Sequence, residues 1–121
     1  MKKVLIVDDE EDILTSVKML VDDSGYEAET VNSGAKALKA LGSKKYDLVL
    51  LDILMPGMSG KEVLEKIRAD PKLKNQKVAF MTVVQLGKQG EDSIQALKPV
   101  EYFEKPVRVG DFRTRLQKVL G

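Results

Sequence analysis

Acidic side chains stand at the ends of two short apolar runs in the sequence. Asp8 and Asp9 directly follow Val4–Val7, and Asp52 closes the run Tyr46–Asp52. Two carboxylates about 4 Å apart repel each other by roughly 4 kcal/mol at an effective dielectric constant of about 20. If the fold brings these acids together, either one of them stays protonated or a cation lies between them. An oxygen-only site, in a chain without His or Cys, suits Mg²⁺.

The composition restricts the chemistry further. The 121 residues carry a net charge of +1, are 43% hydrophobic and include no cysteine and no histidine. Imidazole and thiolate chemistry are therefore excluded, which leaves carboxylates, hydroxyls and lysines as reactive groups. No apolar run approaches the ~18 residues of a membrane span, so we expect no membrane insertion. The lack of cysteine fits a cytoplasmic location. Basic residues form no block along the chain, and we expect no direct binding to nucleic acid.

Apolar runs alternate with amphipathic stretches along residues 1–121, which indicates a single domain. The pattern predicts five strands, which lie within residues 3–7, 26–31, 46–52, 77–82 and 100–106. One helix follows each strand. The third helix is predicted over Lys61–Ala69, and the fourth, which is poorly capped, over Gly90–Leu97. Strand and helix in alternation predict an α/β fold, with a doubly wound parallel sheet and helices on both faces.

Polar residues close four of the predicted strands. Asp8 and Asp9 follow the first strand, Asp52 ends the third, Thr82 ends the fourth and Lys105 ends the fifth. In doubly wound sheets the site lies beyond the carboxyl ends of the strands. These side chains are therefore predicted to meet at one edge of an otherwise apolar sheet, where Lys105 supplies a positive charge.

Other polar and small residues have structural explanations. The acids Glu10–Asp12 fall in the first turn of the first helix, where the helix dipole favours negative charge by ~0.3–1 kcal/mol each. Asn32 or Ser33 is the expected N-cap of the second helix. Gly57 and Gly60 are expected to serve the backbone geometry of the loop that follows the third strand.

With these residues in view, the whole chain, residues 1–121, resembles the receiver domain of two-component response regulators. The motifs are VDDE at Val7–Glu10, LLDILMPGMSG at Leu50–Gly60, Thr82 at the end of the fourth strand, and EKP at Glu104–Pro106. The ordered set is far more specific than an acid pair alone. The resemblance implies a flavodoxin-like strand order, 2-1-3-4-5.

The resemblance also implies a Mg²⁺ site. Asp9 and Asp52 match direct ligands, together with the backbone carbonyl of Leu54. Asp8 matches the acid that reaches the metal mainly through water. Mg²⁺ is thus the expected cofactor.

Four residues match the phosphorylation and switching machinery of the family. Asp52 matches the phosphoacceptor, whose carboxylate forms an acyl phosphate, and Lys105 matches the lysine that pairs with the phosphoryl oxygens. Thr82 matches the hydroxyl that moves to bond the phosphoryl group, and Tyr102 matches the aromatic residue whose rotamer reports activation. The physical roles agree, since phosphoryl transfer needs an in-line nucleophile and charge stabilisation of the transferred group.

The expected function is a phosphorylation-activated signalling switch. A sensor histidine kinase or phosphotransfer protein would phosphorylate it, and a downstream target protein would bind the surface of helix 4, strand 5 and helix 5. The chain would catalyse only its own phosphorylation and slow dephosphorylation. One alternative is a binding module of the same fold that signals without phosphate. Another is a Mg²⁺-dependent phosphatase of the haloacid-dehalogenase type, although Leu54 stands where that family has a second acid.

Two stretches depart from the family pattern. Val83 stands where a small residue is usual, and neither Val84 nor Leu54 can orient an attacking water. We therefore expect an acyl phosphate that forms slowly from small donors and is long-lived. Lys98-Pro99 replaces a Gly-Ala type of turn before the fifth strand, and proline should make that turn stiffer.

Overall fold

The computed structural model describes residues 1–83 and 87–121. Within these residues, five parallel strands form one sheet in the order β2-β1-β3-β4-β5. The strands are β1 Lys3–Val7, β2 Glu27–Val31, β3 Leu48–Asp52, β4 Val78–Thr82 and β5 Glu101–Glu104. The helices that alternate with them are α1 Glu11–Asp23, α2 Gly34–Ser43, α3 Gly60–Ala69, α4 Lys88–Gln95 and α5 Val109–Leu120. The predicted doubly wound α/β fold and its strand order are confirmed.

The two sides of the sheet are both covered, and each side has its own core. Along β1, Val4 and Ile6 pack with residues of α1 and α5. Leu5 and Val7 point the other way and pack with residues of α2, α3 and α4. Because both faces are buried, the central strands read as continuous apolar runs instead of alternating ones.

Several element boundaries differ from the predicted ones. The second and third strands begin at Glu27 and Leu48, because Tyr26 and Tyr46 are buried in the cores but lie outside the strand ladder. A buried aromatic residue at a strand entrance gives the same apolar signal as a strand residue. At the other end of the chain, β5 stops at Glu104, so Lys105 lies just beyond it.

The helix starts also differ slightly from the sequence pattern. Glu10 is the N-cap of α1 and not part of its first turn, which holds Glu11 and Asp12. Ser33 caps α2, where its hydroxyl accepts a hydrogen bond from the Lys36 N–H at 3.2 Å. The fourth helix starts two residues earlier than predicted, at Lys88, and as expected no side chain caps it.

Arg68 binds backbone carbonyls at the amino-terminal edge of the sheet. Its Nε donates to the carbonyl of Leu97 at 2.7 Å, and its Nη2 donates to the carbonyl of Lys98 at 3.1 Å. Its Nη1 donates to the carbonyls of Gln76 at 2.7 Å and Lys74 at 2.9 Å. One side chain of α3 therefore binds both the chain entering β4 and the turn between α4 and β5.

None of the helices in the described residues is long and apolar enough to cross a membrane.

Candidate functional site

The sheet brings the predicted polar residues to its carboxyl-terminal edge. Asp8 directly follows β1, Asp52 is the last residue of β3, and Thr82 is the last residue of β4. Lys105 directly follows β5, and its N–H donates to the carbonyl of Thr82 at 2.9 Å. Since β1, β3, β4 and β5 are successive neighbours in the sheet, these positions form one row.

Three carboxylates cluster at this edge. Asp8, Asp9 and Asp52 each offer an oxygen, and these oxygens all lie within 4.8 Å of one another. Asp8 is fully buried and Asp52 is 4% exposed, whereas Asp9 is exposed. At this spacing each ionised pair repels by roughly 4 kcal/mol at an effective dielectric constant of about 20. The cluster therefore favours a proton or a cation among its oxygens.

Lys105 is the cation that the described residues bring to this cluster. Its Nζ lies 2.5 Å from Asp8 Oδ2 and 3.4 Å from Asp52 Oδ2, and its side chain is 7% exposed. The other oxygen of Asp8 accepts the Glu10 N–H at 2.9 Å. Asp8 is thus bound on both oxygens, and one lysine contacts two carboxylates that have a third beside them. That ratio leaves negative charge uncompensated when all three are ionised.

The electrostatic balance shows in the pKa values of the two central groups. Burial raises the pKa of Asp52 to about 6, with the charge of Asp8 in the same direction and the Lys105 ammonium opposing it. Burial alone would lower the pKa of Lys105, but the contacts with Asp8 and Asp52 outweigh it and hold that pKa above its usual value. At Asp52, burial and the charge of Asp8 thus outweigh the Lys105 contact and disfavour the ionised form.

The donor set fits Mg²⁺. All the candidate ligands are oxygens, as Mg²⁺ prefers, and a partly exposed cluster of two or three carboxylates leaves room for the waters that this ion keeps. Leu54 is positioned by the same loop, since its N–H donates to Asp52 Oδ1 at 3.4 Å. Its carbonyl remains a predicted ligand.

The loop after Asp52 is held by short-range contacts. The N–H of Gly60 donates to the carbonyl of Ile53 at 2.8 Å, and a Cβ on Gly60 would lie 2.1 Å from the carbonyl oxygen of Asp52. Gly57 has a positive φ of 75°, which glycine adopts without strain. Ser59 and Glu62 form a capping box at the start of α3. Both predicted glycine roles are confirmed.

The remaining predicted residues surround this cluster or lie one strand away. Thr82 is fully buried. Tyr102 is half-buried on the α4 side of the sheet, where burial, together with Glu104 and Glu91, raises its pKa. Val83 and Leu54 are 70% and 56% exposed and give the site an apolar rim. Val84 lies outside the described residues.

The sequence predicted that Lys105 supplies positive charge to the acids at this edge, and the resemblance matched it to the lysine that pairs with the phosphoryl oxygens. What the sequence did not predict is that the closest carboxylate of Lys105 is that of Asp8 and not that of Asp52. The available signal was the position of Asp8 immediately after four buried residues, which predicts burial and so a need for a close positive partner. The peptide bond between Lys105 and Pro106, which is cis, was also not predicted.

Comparisons with known proteins identify the family to which the chain is related. A family model described as the response regulator receiver domain matches residues 4–117. The alkaline phosphatase synthesis transcriptional regulatory protein PhoP of Bacillus subtilis is 33% identical over 98% of this chain and 48% of its own length. The polar-differentiation response regulator DivK of Brucella ovis is 32% identical, over 99% of this chain and 97% of its own length.

A solved structure gives the same result. The response regulator protein TrrA of Thermotoga maritima, in complex with Mg²⁺-BeF, matches with a TM-score of 0.86 and 37% identity, over 99% of this chain and 100% of its own. The chain spans about half or less of the length of several curated relatives that it matches. Since the family model covers nearly all of the sequence, the chain belongs to the response regulator receiver domain family.

Proposed function

We propose that this chain is a phosphorylation-activated switch that accepts a phosphoryl group on Asp52 from a histidine kinase or phosphotransfer protein. The observation that carries the proposal is the cluster of Asp8, Asp9 and Asp52 at the carboxyl edge of the sheet, in which Lys105 contacts Asp8 and Asp52. TrrA, which is similar over the whole chain, was solved with Mg²⁺-BeF. The carboxylates of this cluster repel each other, and such an arrangement is expected where a cation that offsets their charge is to be bound together with a phosphoryl group.

Asp52 is the residue suited to act as nucleophile. Its carboxylate is bound less closely by Lys105 than that of Asp8, at 3.4 Å against 2.5 Å. In the proposed step, an Asp52 oxygen forms a bond to phosphorus while the bond from phosphorus to the donor nitrogen breaks. The electron pair of the broken bond stays on the donor imidazole, which takes a proton from solvent.

Asp8, Asp9 and Asp52, with the Leu54 carbonyl, would hold the Mg²⁺ ion. When bound, this ion offsets negative charge on the carboxylates and on the phosphoryl oxygens. Lys105 then pairs with a phosphoryl oxygen. Because Lys105 already contacts Asp8, part of its interaction energy exists before phosphorylation.

The switch uses residues that join the site to the surface of α4, β5 and α5. The Thr82 hydroxyl and Lys105 would each gain ~1.5–3 kcal/mol from a bond to a charged oxygen, together ~3–6 kcal/mol. Changing a two-state equilibrium from 1:99 to 99:1 takes about 5.5 kcal/mol. The two contacts suffice only near the upper end of their range, and the earlier contact between Lys105 and Asp8 lowers the share that Lys105 contributes. Tyr102, on β5, would respond to the movement of Thr82, and a target protein would bind the surface of α4, β5 and α5.

Beryllofluoride with Mg²⁺ tests the proposal, with acetyl phosphate as a covalent donor. Wild type should show chemical-shift changes at Thr82 and Tyr102 and a mass increase of one phosphoryl group, whereas Asp52→Asn should show neither. Asp12→Asn, an acid of α1 outside the cluster, should behave like wild type. Absence of an Asp52-dependent change would support the alternative module that signals without phosphate. Continuous turnover of a phosphomonoester would support the phosphatase.

The rim residues extend the proposal to the lifetime of the acyl phosphate. Val83 and Leu54 are both exposed and apolar. Val83 narrows the approach to the site, and Leu54 cannot orient an attacking water. We therefore propose slow phosphorylation by small donors and slow hydrolysis. Release of phosphate within seconds from the Mg²⁺-loaded, phosphorylated protein would refute a long lifetime.

A further inference from the structure

A second concave surface lies at the amino-terminal edge of the sheet, at the opposite end of the strands from Asp52. We call it the basic groove. It has a volume of about 600 Å³ and, among the described residues, its lining includes the five lysines Lys2, Lys44, Lys45, Lys72 and Lys77. The acid in its lining is Asp47. These lysines come from separate parts of the sequence, so no basic block marks them.

Most of this positive charge is not neutralised within the chain. Within the described residues no ion pair involves Lys2, Lys45 or Lys72. Lys44 pairs with Glu29 at 3.3 Å, and this pair is exposed on one side. A concave surface lined by like charges concentrates their field. The groove is therefore expected to attract negatively charged groups.

The groove also has an aliphatic floor, whose accessible part is the half-buried Leu73. Leu41 and Leu120 lie beneath this floor and are almost fully buried, so they support it and expose little surface. The ring of Tyr46 contributes little surface, since it is 7% exposed and its hydroxyl donates to Glu29 at 3.0 Å. The surface thus combines positive rims with aliphatic contact area and offers no exposed aromatic ring for stacking.

We propose that the basic groove is a docking site for an acidic protein segment that carries an aliphatic anchor residue. Nucleic acid is the weaker fit, because single strands bind through stacking on exposed aromatic rings. A flat lipid surface would touch the lysine rim but not the floor. An extended segment can place carboxylates on Lys45 and Lys72 and one aliphatic side chain on the floor.

The position of the groove makes this docking independent of phosphorylation. Its lining includes Lys2, Asp47 and Lys77, which directly precede β1, β3 and β4, while Asp52 ends β3. Five strand residues at about 3.3 Å each separate the two edges by roughly 16 Å. A partner could therefore occupy the groove while the carboxyl edge is engaged by a phosphoryl donor.

Fluorescence anisotropy with labelled peptides tests the proposal. The probes are two peptides of about twelve residues, one alternating Glu and Leu and one alternating Glu and Ser, together with a single-stranded DNA of about the same charge. The Glu-Leu peptide should bind about tenfold more tightly than the Glu-Ser peptide, since one buried aliphatic side chain is worth about 1.5 kcal/mol. The DNA should bind more weakly than the Glu-Leu peptide.

A matched pair of charge reversals locates the site. K45E/K72E should weaken binding of the Glu-Leu peptide about tenfold, whereas K36E/K39E, which makes the same charge change on α2, should stay within about twofold of wild type. Uptake of beryllofluoride with Mg²⁺ by K45E/K72E should match wild type, which shows that its fold is intact.

Equal weakening by both double variants would overturn the proposal, because binding would then follow net charge alone. Tighter binding of the DNA, equal binding of the two peptides or no binding of the Glu-Leu peptide would overturn it as well. None of these outcomes bears on Asp52, whose phosphorylation is read by mass and not by peptide binding.

Discussion

The two edges of the sheet handle charge in opposite ways. At the carboxyl edge, Lys105 contacts two buried carboxylates beside an exposed one, and the pKa of Asp52 is raised to about 6. At the amino edge, the charged Arg68 has four backbone carbonyls as partners, and the lysines of the basic groove are exposed to solvent. The carboxyl edge therefore holds buried charge that lacks full compensation, whereas the uncompensated charge of the amino edge is solvated. The difference indicates that uncompensated charge is costly at the carboxyl edge and cheap at the amino edge.

Backbone contacts show the same division. At the amino edge, Gln76 adds to Arg68, since its Nε2 donates to the carbonyls of Tyr46 at 3.0 Å and Lys77 at 3.1 Å. At the carboxyl edge, Gly60 instead brings two stretches of backbone so close that no side chain fits between them. The amino edge is stabilised by the long side chains of Arg68 and Gln76, whereas the close packing at the carboxyl edge requires that residue 60 has no side chain.

Gly60→Ala is expected to have the largest effect, because it adds a side chain where the carboxyl edge has no space. Its Cβ would lie 2.1 Å from the Asp52 carbonyl oxygen and 2.9 Å from the Ile53 Cα, both backbone atoms. We expect a loss of about 3 kcal/mol or more in the free energy of unfolding, measured by urea denaturation. Chemical shifts of Asp52 should change too.

Gly42→Ala is the matched control for this substitution. Gly42 lies in α2, and no heavy atom comes within 4 Å of a Cβ placed on it. Alanine there should raise the unfolding free energy by about 0.5–1 kcal/mol, since it removes the conformational cost of a helical glycine. If both substitutions had small effects of the same sign, the close packing inferred at Gly60 would be wrong.

Arg68→Ala tests the amino edge. It removes four hydrogen bonds from a charged donor group and leaves their carbonyls to water or unpaired. We expect a loss of about 2–3 kcal/mol in unfolding free energy, reduced from the full sum because part of the group is exposed. Arg68→Lys should lose about 1–2 kcal/mol, because an ammonium cannot reach all four carbonyls.

Lys66→Ala is the control for Arg68→Ala, since it removes an exposed cation from the same helix. It should change stability by no more than about 0.5 kcal/mol. Should Arg68→Lys prove as stable as wild type, charge alone would account for the role of Arg68 and the four-carbonyl contact would carry no stability.

Asp52→Asn is expected to stabilise the protein, in contrast to the loss of unfolding free energy expected for Arg68→Ala. The folded pKa of Asp52, about 6, lies above the ordinary value of 3.8, so folding favours its protonated form. The stability that this protonated form provides is complete below pH ~4 and is lost as the pH rises through about 6. An amide stays neutral at every pH.

The gain from Asp52→Asn should therefore be about 2 kcal/mol at pH 7 and should shrink towards zero near pH 4, read from urea unfolding at both pH values in metal-free buffer. Asp23→Asn, an exposed acid at the end of α1, should shift stability by no more than about 0.5 kcal/mol at either pH. A destabilised Asp52→Asn at pH 7 would contradict the idea that the carboxyl edge holds uncompensated charge.

The contrast between the edges also explains how much of the molecule its sequence could predict. The fold class and the gathering of Asp8, Asp9, Asp52 and Lys105 follow from local signals, since apolar runs and the residues that end them repeat at regular intervals. The strand order was predicted from the family resemblance. These local signals can be recognised in the sequence because each depends on residues that are neighbours in the chain.

The features that the sequence missed depend on residues far apart in the chain. Arg68 binds carbonyls up to 30 residues away in the chain. The basic groove gathers lysines from separate segments, none of which forms a charged block. A carbonyl or a lone lysine gives no distinctive sequence signal, so such contacts become visible only once the fold is known.

Val83→Ala is expected to have the smallest effect, and it examines the rim of the carboxyl edge instead of its charges. Val83 is 70% exposed beside the fully buried Thr82, so its removal should cost little stability while it opens the approach to Asp52. On the proposed function, both phosphorylation by acetyl phosphate and release of phosphate should become about threefold faster, a change of about 0.6 kcal/mol in the barriers. Val109→Ala, which shortens an exposed valine of α5, should leave both rates unchanged. Equal rates in wild type and Val83→Ala would show that Val83 does not limit access, and the proposed slow chemistry would then rest on Leu54 and Val84.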